Sequence, residues 1–221
     1  MVRHPSLNLG FLALPAALFV AIVFAGAPSS GKTHASANLS ATDKTDIARI
    51  ERYLNNISTM RARFLQVAAN DELSQGWVFL SRPGKLRVEY DPPTPILIIG
   101  DGAWLIYHDS ELEQTTYRSL ESSLVGFLVQ KTVRLGGAVT VTGLERGPGV
   151  IRVKLVKSGE AEEGSLALTF SDRPLVLRQW TVTDAEGQAT QIALLNAQFG
   201  LSLDEALFEF TESSEDGGVS R

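Results

Sequence analysis

Cysteine is absent from all 221 residues. That excludes disulfides, thiolate metal sites, a Cys nucleophile and the lipidated Cys that would tether a bacterial lipoprotein to a membrane. Histidine is scarce: three in all, with His4 and His34 near the start of the chain. One remaining His cannot supply a His-rich metal site. A Ser-His-Asp triad would have to be built on His108, Asp109 and Ser110, and consecutive residues rarely converge on one reaction centre. Positive charge is short too, with 20 Lys and Arg against 25 Asp and Glu. An acidic chain without a basic run suits neither nucleic acid nor an anionic membrane surface. The acidic pairs Asp71-Glu72, Glu111 with Glu113, and Glu162-Glu163 all lie in turn-like stretches and read as solvated surface. Nothing marks an enzyme site, and no cofactor or metal is expected.

Long apolar runs are missing as well, with one exception. Phe11–Ala27 is uninterrupted, Arg3 and His4 precede it, and Ala35-Ser36-Ala37 follows. This is the pattern of a secretory signal peptide over residues 1–37, with a retained membrane anchor as the alternative. Inside it, "GAPSSGKT" (Gly26–Thr33) matches the Walker A pattern letter for letter. A phosphate loop works only between a strand and a helix. Here "HASANLSAT" follows without apolar periodicity, and no alternation of helices and strands comes after it. The match is a coincidence. Arg3 and Lys32 leave with the signal, so the formal charge moves from −5 to about −7. What remains is one domain over residues 38–212, large enough for a sizeable core, and a polar, Gly-rich tail over 213–221 that reads as disordered. The mature chain is expected to be soluble beyond the inner membrane, and a monomer.

Along the domain, "SATDKTDIARIERYLNNI" places Ile47, Ile50, Leu54 and Ile57 on one helical stripe, with Ser40 or Thr42 as cap. The period then switches to two. Met60, Ala62 and Phe64 alternate, as do Leu86, Val88 and Tyr90. "TPILIIGDGAWLIYH" is a hairpin around Asp101-Gly102. "LEQTTY" is a further strand. "SLESSLVGFLVQK" reads as a second helix, with Leu120, Leu124, Phe127 and Leu128 on one side. "AVTVTGLE", "VIRVKLVK", "SLALTFS", "LVLRQWTVTD", "QATQIALLN" and a terminal "LFEF" return to strands. About ten or eleven short strands joined by tight turns predict one large antiparallel sheet that curls into an incomplete barrel. Two apolar helix stripes must be buried somewhere, and the open mouth or concave face is available.

Ile96–Tyr107 and Trp77–Leu80 are nearly continuous rather than alternating, so large apolar groups stand on both faces. One face could pack the helices while the other lines a cavity, or both could belong to an ordinary two-layer core. Composition does not separate these.

The segment "GWVFLSRPGKLRVEYDPPTPILIIGDGAWLIYHDSELEQTTY" resembles the outer-membrane lipoprotein carrier family of Gram-negative bacteria. The matching pieces are Gly76, Arg82-Pro83-Gly84, Arg87, Tyr90, Pro93, Asp101-Gly102, Tyr107 and Gln114. Phe64 and Gln66 resemble the family's F-x-Q, and "SLDEALFEF" its closing strand, with Phe208 and Phe210. A Pro expected near Leu124 is missing. The resemblance implies a mainly β (α+β) fold, an incomplete antiparallel barrel closed by an α-helical lid over an apolar cavity for acyl chains. It implies a periplasmic carrier moving lipoproteins from an inner-membrane ABC releasing complex to an outer-membrane acceptor lipoprotein. Arg82, followed by Pro83, is then the residue that bonds lid carbonyls, since its five donors suit several acceptors at once. Leu86 falls near the mouth. Trp77, Phe79, Ile98, Leu105, Leu124, Phe127 and Leu128 complete the expected cavity and lid set. A carrier of another lipid, of glycolipid or hopanoid type, and less favourably a periplasmic hydrolase are the alternatives.

Overall fold

The computed structural model describes residues 38–124 and 126–211. The expected signal peptide and tail therefore lie outside the described residues. The chain starts with helix α1 (Ala41–Asn55). Ser40 decides its start through a capping box: its side chain accepts from the Asp43 backbone N–H, and the Asp43 carboxylate accepts from the Ser40 N–H at 2.8 Å. Two otherwise orphaned donors are satisfied in this way.

Eleven strands follow among the described residues: β1 (Thr59–Val67), β2 (Leu73–Ser81), β3 (Lys85–Tyr90), β4 (Ile96–Asp101), β5 (Trp104–Asp109) and β6 (Gln114–Ser119) form one meander. After a helical turn comes the second: β7 (Val139–Gly147), β8 (Val150–Lys157), β9 (Ser165–Ser171), β10 (Val176–Thr183) and β11 (Ala189–Phe199). All pair antiparallel in the order β6-β5-β4-β3-β2-β1-β11-β10-β9-β8-β7. The two meanders join where β1 meets β11, at a register shift beside Asn196, whose φ is +52°. The two outermost strands, β6 and β7, do not pair with each other, so the sheet is an open half-barrel and not a closed one.

Period-two alternation sets the inner face. Met60, Ala62, Phe64 and Gln66 of β1 stand opposite Leu80, Val78, Gly76 and Ser74 of β2. They join Ile50 and Leu54 of α1 and Leu166, Leu168 and Phe170 of β9 in one buried cluster, apart from Gln66, Gly76 and Ser74. Gly76 has no substitute. A Cβ there would lie 2.0 Å from the Glu89 carbonyl oxygen and 2.8 Å from the Phe64 ring, which packs edge-on against Tyr90 at 5.0 Å.

Two expectations need correction. The second helix does not run from 119 to 131. It is a 3-10 turn (Leu120–Ser122) and a single α-turn, α2 (Gly126–Val129). Ser123 separates them: its hydroxyl donates to the Leu120 carbonyl at 3.0 Å and accepts from the Gly126 N–H at 2.8 Å. Such side-chain bonds compete with helix continuation. The buried stripe of Leu120, Phe127 and Leu128 survives the break. The closing "LFEF" is not a strand either. Glu205–Phe208 is a 3-10 turn begun by Asp204, whose carboxylate accepts from the Ala206 N–H.

That C-terminal segment also explains the apolar hairpin. Phe208 is buried, as are Ile99 and Ile106 on the outer face of β4 and β5. The Leu207 carbonyl accepts from Arg87 at 3.2 Å, and Lys85 pairs with Glu205. The second face of the Ile96–Tyr107 hairpin is thus covered by the chain's own C-terminal segment.

Candidate functional site

α1 crosses the inner face with polar anchors along its length. Arg146 of β7 bonds Asp43 and Asp46, and Arg49 bonds Asp172 in the β9–β10 turn. The Tyr53 hydroxyl accepts from the Leu177 N–H at 3.1 Å. At the far end, Asn55 exchanges two 2.8 Å hydrogen bonds with the backbone of Val133, and Glu51 accepts from the Leu135 N–H.

Arg82 stands where the C-terminal ends of α1 and α2 meet. Its Nε and Nη2 donate to the Leu128 carbonyl at 2.9 and 2.5 Å. Its Nη1 donates to the carbonyls of Leu54 and Ile57, the latter at 2.9 Å. The last carbonyls of a helix have no partner within it, and a cation there is favoured. One guanidinium therefore binds three carbonyl oxygens from two segments: Leu54 and Leu128 in the last turns of α1 and α2, and Ile57 just past α1. Burial pulls its pKa down to about 10, which leaves it charged at neutral pH. Next to it, the Gly84 N–H donates to the Val129 carbonyl at 2.7 Å.

Beneath this junction lies an apolar cavity of about 50 Å³. Met60, Val78, Leu80, Leu86 and Val88 line it from the first meander, and Leu166, Leu177 and Trp180 from the second. Leu54, Ile57, Leu128 and Val129 form its roof beside Arg82.

The expected residues divide by position. Arg82, Leu86 and Leu128 lie at this cavity. Ile98, Leu105 and Phe127 are buried in the surrounding core, and Leu124 packs half-buried against it. Pro83 is exposed in the β2–β3 turn. Trp77 and Phe79 face the other way. They stack on the outer surface of β2 at 6.2 Å, with the guanidinium groups of Arg61 and Arg63 over the Trp77 ring at 5.4 and 5.1 Å. The reason is phase: Val78 and Leu80 share the inner face with Met60 and Ala62, so their neighbours must point outward. That alternation on β1 and β3 was the signal that could have chosen Val78 over Trp77. Trp180, Leu166 and Leu177 carried no local signal, because only the β1–β11 pairing brings the second meander to this place.

Deeper on the inner face, Gln66 is fully buried, and its Oε1 accepts from the Tyr90 hydroxyl at 2.7 Å. Burial raises the Tyr90 pKa, and burial with the Asp109 charge pushes Tyr107 up to about 12. His108, Asp109 and Ser110 do not converge. The His108 Nδ1 lies 3.1 Å from the Thr115 hydroxyl and its ring packs on Phe210. Asp109 is buried and caps the backbone of Glu111 and Leu112, while Ser110 donates to the Pro95 carbonyl.

Together these features define a class: an open antiparallel half-barrel whose inner face, with two helical segments against it, encloses apolar space. Residues 55–211 match the profile of the family described as outer membrane lipoprotein carrier protein LolA. The chain belongs to this family. It is 30% identical over 177 residues to an outer-membrane lipoprotein carrier protein of Azotobacter vinelandii, covering 76% of this chain and 84% of that one. To a protein of the same description from Legionella pneumophila (strain Paris) it is 32% identical over 177 residues, or 76% and 86% of the two chains. Among solved structures, a putative outer membrane lipoprotein-sorting protein domain from Vibrio parahaemolyticus matches 74% of this chain and 94% of its own at 12% identity, with a TM-score of 0.46. No helix among the described residues is long and apolar enough to cross a membrane.

Proposed function

We propose that this chain is a periplasmic carrier that houses lipoprotein acyl chains between its helical segments and its sheet, and moves them from the inner to the outer membrane. One observation carries the reading. An apolar cavity lies under two helical segments whose ends are clasped by a single buried-side guanidinium, Arg82, in a member of a carrier family.

The cavity is too small for cargo as it stands. Space measured to the centres of water-sized spheres must reach about 10–15 Å³ to hold one water, so about 50 Å³ holds only a few waters, far short of a ~15-carbon chain. α1 and α2 therefore act as a lid that must lift. The energetics require a competing closed state. At about 0.8 kcal/mol per buried CH₂, one such chain contributes on the order of 10 kcal/mol. A carrier that tight would not release its cargo unaided, and its own closure opposes the loaded state through the Arg82 bonds. Loading then comes from an inner-membrane ABC releasing complex and unloading goes to an outer-membrane acceptor lipoprotein.

The test has two parts. The protein purified from its native periplasm should carry acylated lipopeptide detectable by mass spectrometry, and the empty protein should take up a fluorescent fatty acid. A glycolipid or hopanoid in place of lipopeptide would move the cargo assignment. Failure to take up any acyl probe would end the carrier reading.

A further inference from the structure

The sheet has two free edges, and the chain treats them differently. β7 carries a register shift against β8 between Val141 and Gly143, and Arg146 on it is tied to α1. Bulges and covering elements are the usual means of keeping an edge from pairing. β6 has neither. Its register with β5 is unbroken from Gln114 to Ser119, five of its six residues are exposed, and no strand among the described residues pairs on its far side. A sheet edge offers a row of backbone donors and acceptors to another chain.

Beside this edge, on the outer face, lies a groove of about 560 Å³. Tyr117, Phe210 and Thr211 line it together with the largely buried Ile106 and Phe208, and its exposed lining is mostly polar. Its charged lining is Asp101, Glu205 and Glu209 with Lys85, and Lys85 is already paired with Glu205. The groove is therefore negative.

We propose that β6 and this groove form a docking site for an extended, basic segment of a partner polypeptide, which adds to the sheet as a further strand. Backbone bonds to β6 supply affinity, and alternate side chains of the added strand reach the groove. The acidic rim sets the sign: a Lys or Arg there meets Glu205 and Glu209, while an acidic segment is repelled. The same sign disfavours a second copy of this chain, whose own formal charge is −5. The edge is also close to the Arg82 junction along the chain. β6 runs through the Leu120–Ser122 turn to α2, whose Leu128 carbonyl Arg82 holds. The site lies on the outer face and stands independently of the carrier reading.

The experiment uses the purified full chain and the peptide acetyl-Lys-Val-Lys-Val-Lys-Val-amide. Two controls accompany it, one with Glu for Lys and one with alternate amides N-methylated. Hydrogen exchange of the Gln114–Arg118 amides is followed by NMR. The basic peptide at saturation should slow exchange of the outward-facing amides at least about tenfold, and the controls should not, because backbone pairing protects an exposed amide. Glu209→Lys should weaken the basic peptide up to about fivefold, as expected for one exposed ion pair. Unchanged β6 amides would overturn the proposal, as would equal protection by either control. So would protection without peptide that grows with protein concentration, which would signal self-pairing. Uptake of a fluorescent fatty acid is recorded on the same samples, so loss of the carrier reading is seen separately.

Discussion

Replacing Arg82 by Leu removes the guanidinium but keeps much of the side chain's apolar bulk. Four hydrogen bonds to three carbonyls disappear, those of Leu54, Ile57 and Leu128. Hydrogen bonds from a charged donor contribute about 1.5–3 kcal/mol each before further losses, and burial of the guanidinium works against them. A net of roughly 1 to 1.5 kcal/mol per carbonyl gives about 3 to 4.5 kcal/mol lost from the closed state. At 1.4 kcal/mol per tenfold, the open form gains on the order of 10²–10³ in relative population. The loaded open form should then compete with a weaker rival. Arg82→Leu should bind a fluorescent acyl probe more tightly, approaching 10²-fold, and release it more slowly to acceptor vesicles, with folded content by circular dichroism unchanged. Arg82→Lys should fall between, since one ammonium cannot span three oxygens held by two segments. Unchanged affinity and release in a folded Arg82→Leu protein would refute the idea that these bonds oppose cargo.

Gly76→Ala should be severe, because the added methyl meets the Glu89 carbonyl and the Phe64 ring. A loss of about 3 kcal/mol or more in urea unfolding, or failure to fold, is expected. Ser40→Ala removes the α1 cap and should cost about 1 kcal/mol, a fall in Tm of about 2–4 °C. For Asp43, bonds from Ser40 and Arg146 hold the pKa down from 3.8 to about 2. The folded form therefore favours the carboxylate, and its contribution is complete above pH 3.8 and lost as pH falls towards 2. Asp43→Asn should flatten that part of a Tm-versus-pH curve and leave its shape above pH 5 unchanged. A parallel acid limb in both proteins would count against the capping box and the Arg146 pair as its source.

Much of this protein was legible as period. The 3.6-residue stripe of Ile50 and Leu54 marked α1, and the two-residue alternation of Met60, Ala62 and Phe64 marked an inner face, because both patterns follow from local backbone geometry. Arg82 was legible only through its Arg-Pro-Gly context and the family resemblance, since nothing in a single Arg says which carbonyls it will meet. The second helix was misread because apolar spacing hides what Ser123 does to the backbone. Trp77 and Phe79 were placed on the wrong face because a continuous apolar run does not state its own phase.

By itself the sequence determined the strand-rich meander, the presence of α1 with its cap narrowed to Ser40 or Thr42, and the lack of thiols. These depend on neighbours within a few residues, or on composition. Only the tertiary structure decided that Trp180, Leu166 and Leu177 share a cavity with Met60, that the C-terminal segment covers the outer face of β4 and β5, and that one guanidinium holds the ends of two helical segments. Each of those contacts joins positions far apart in the chain, and the β1–β11 pairing that closes the distance leaves no local trace.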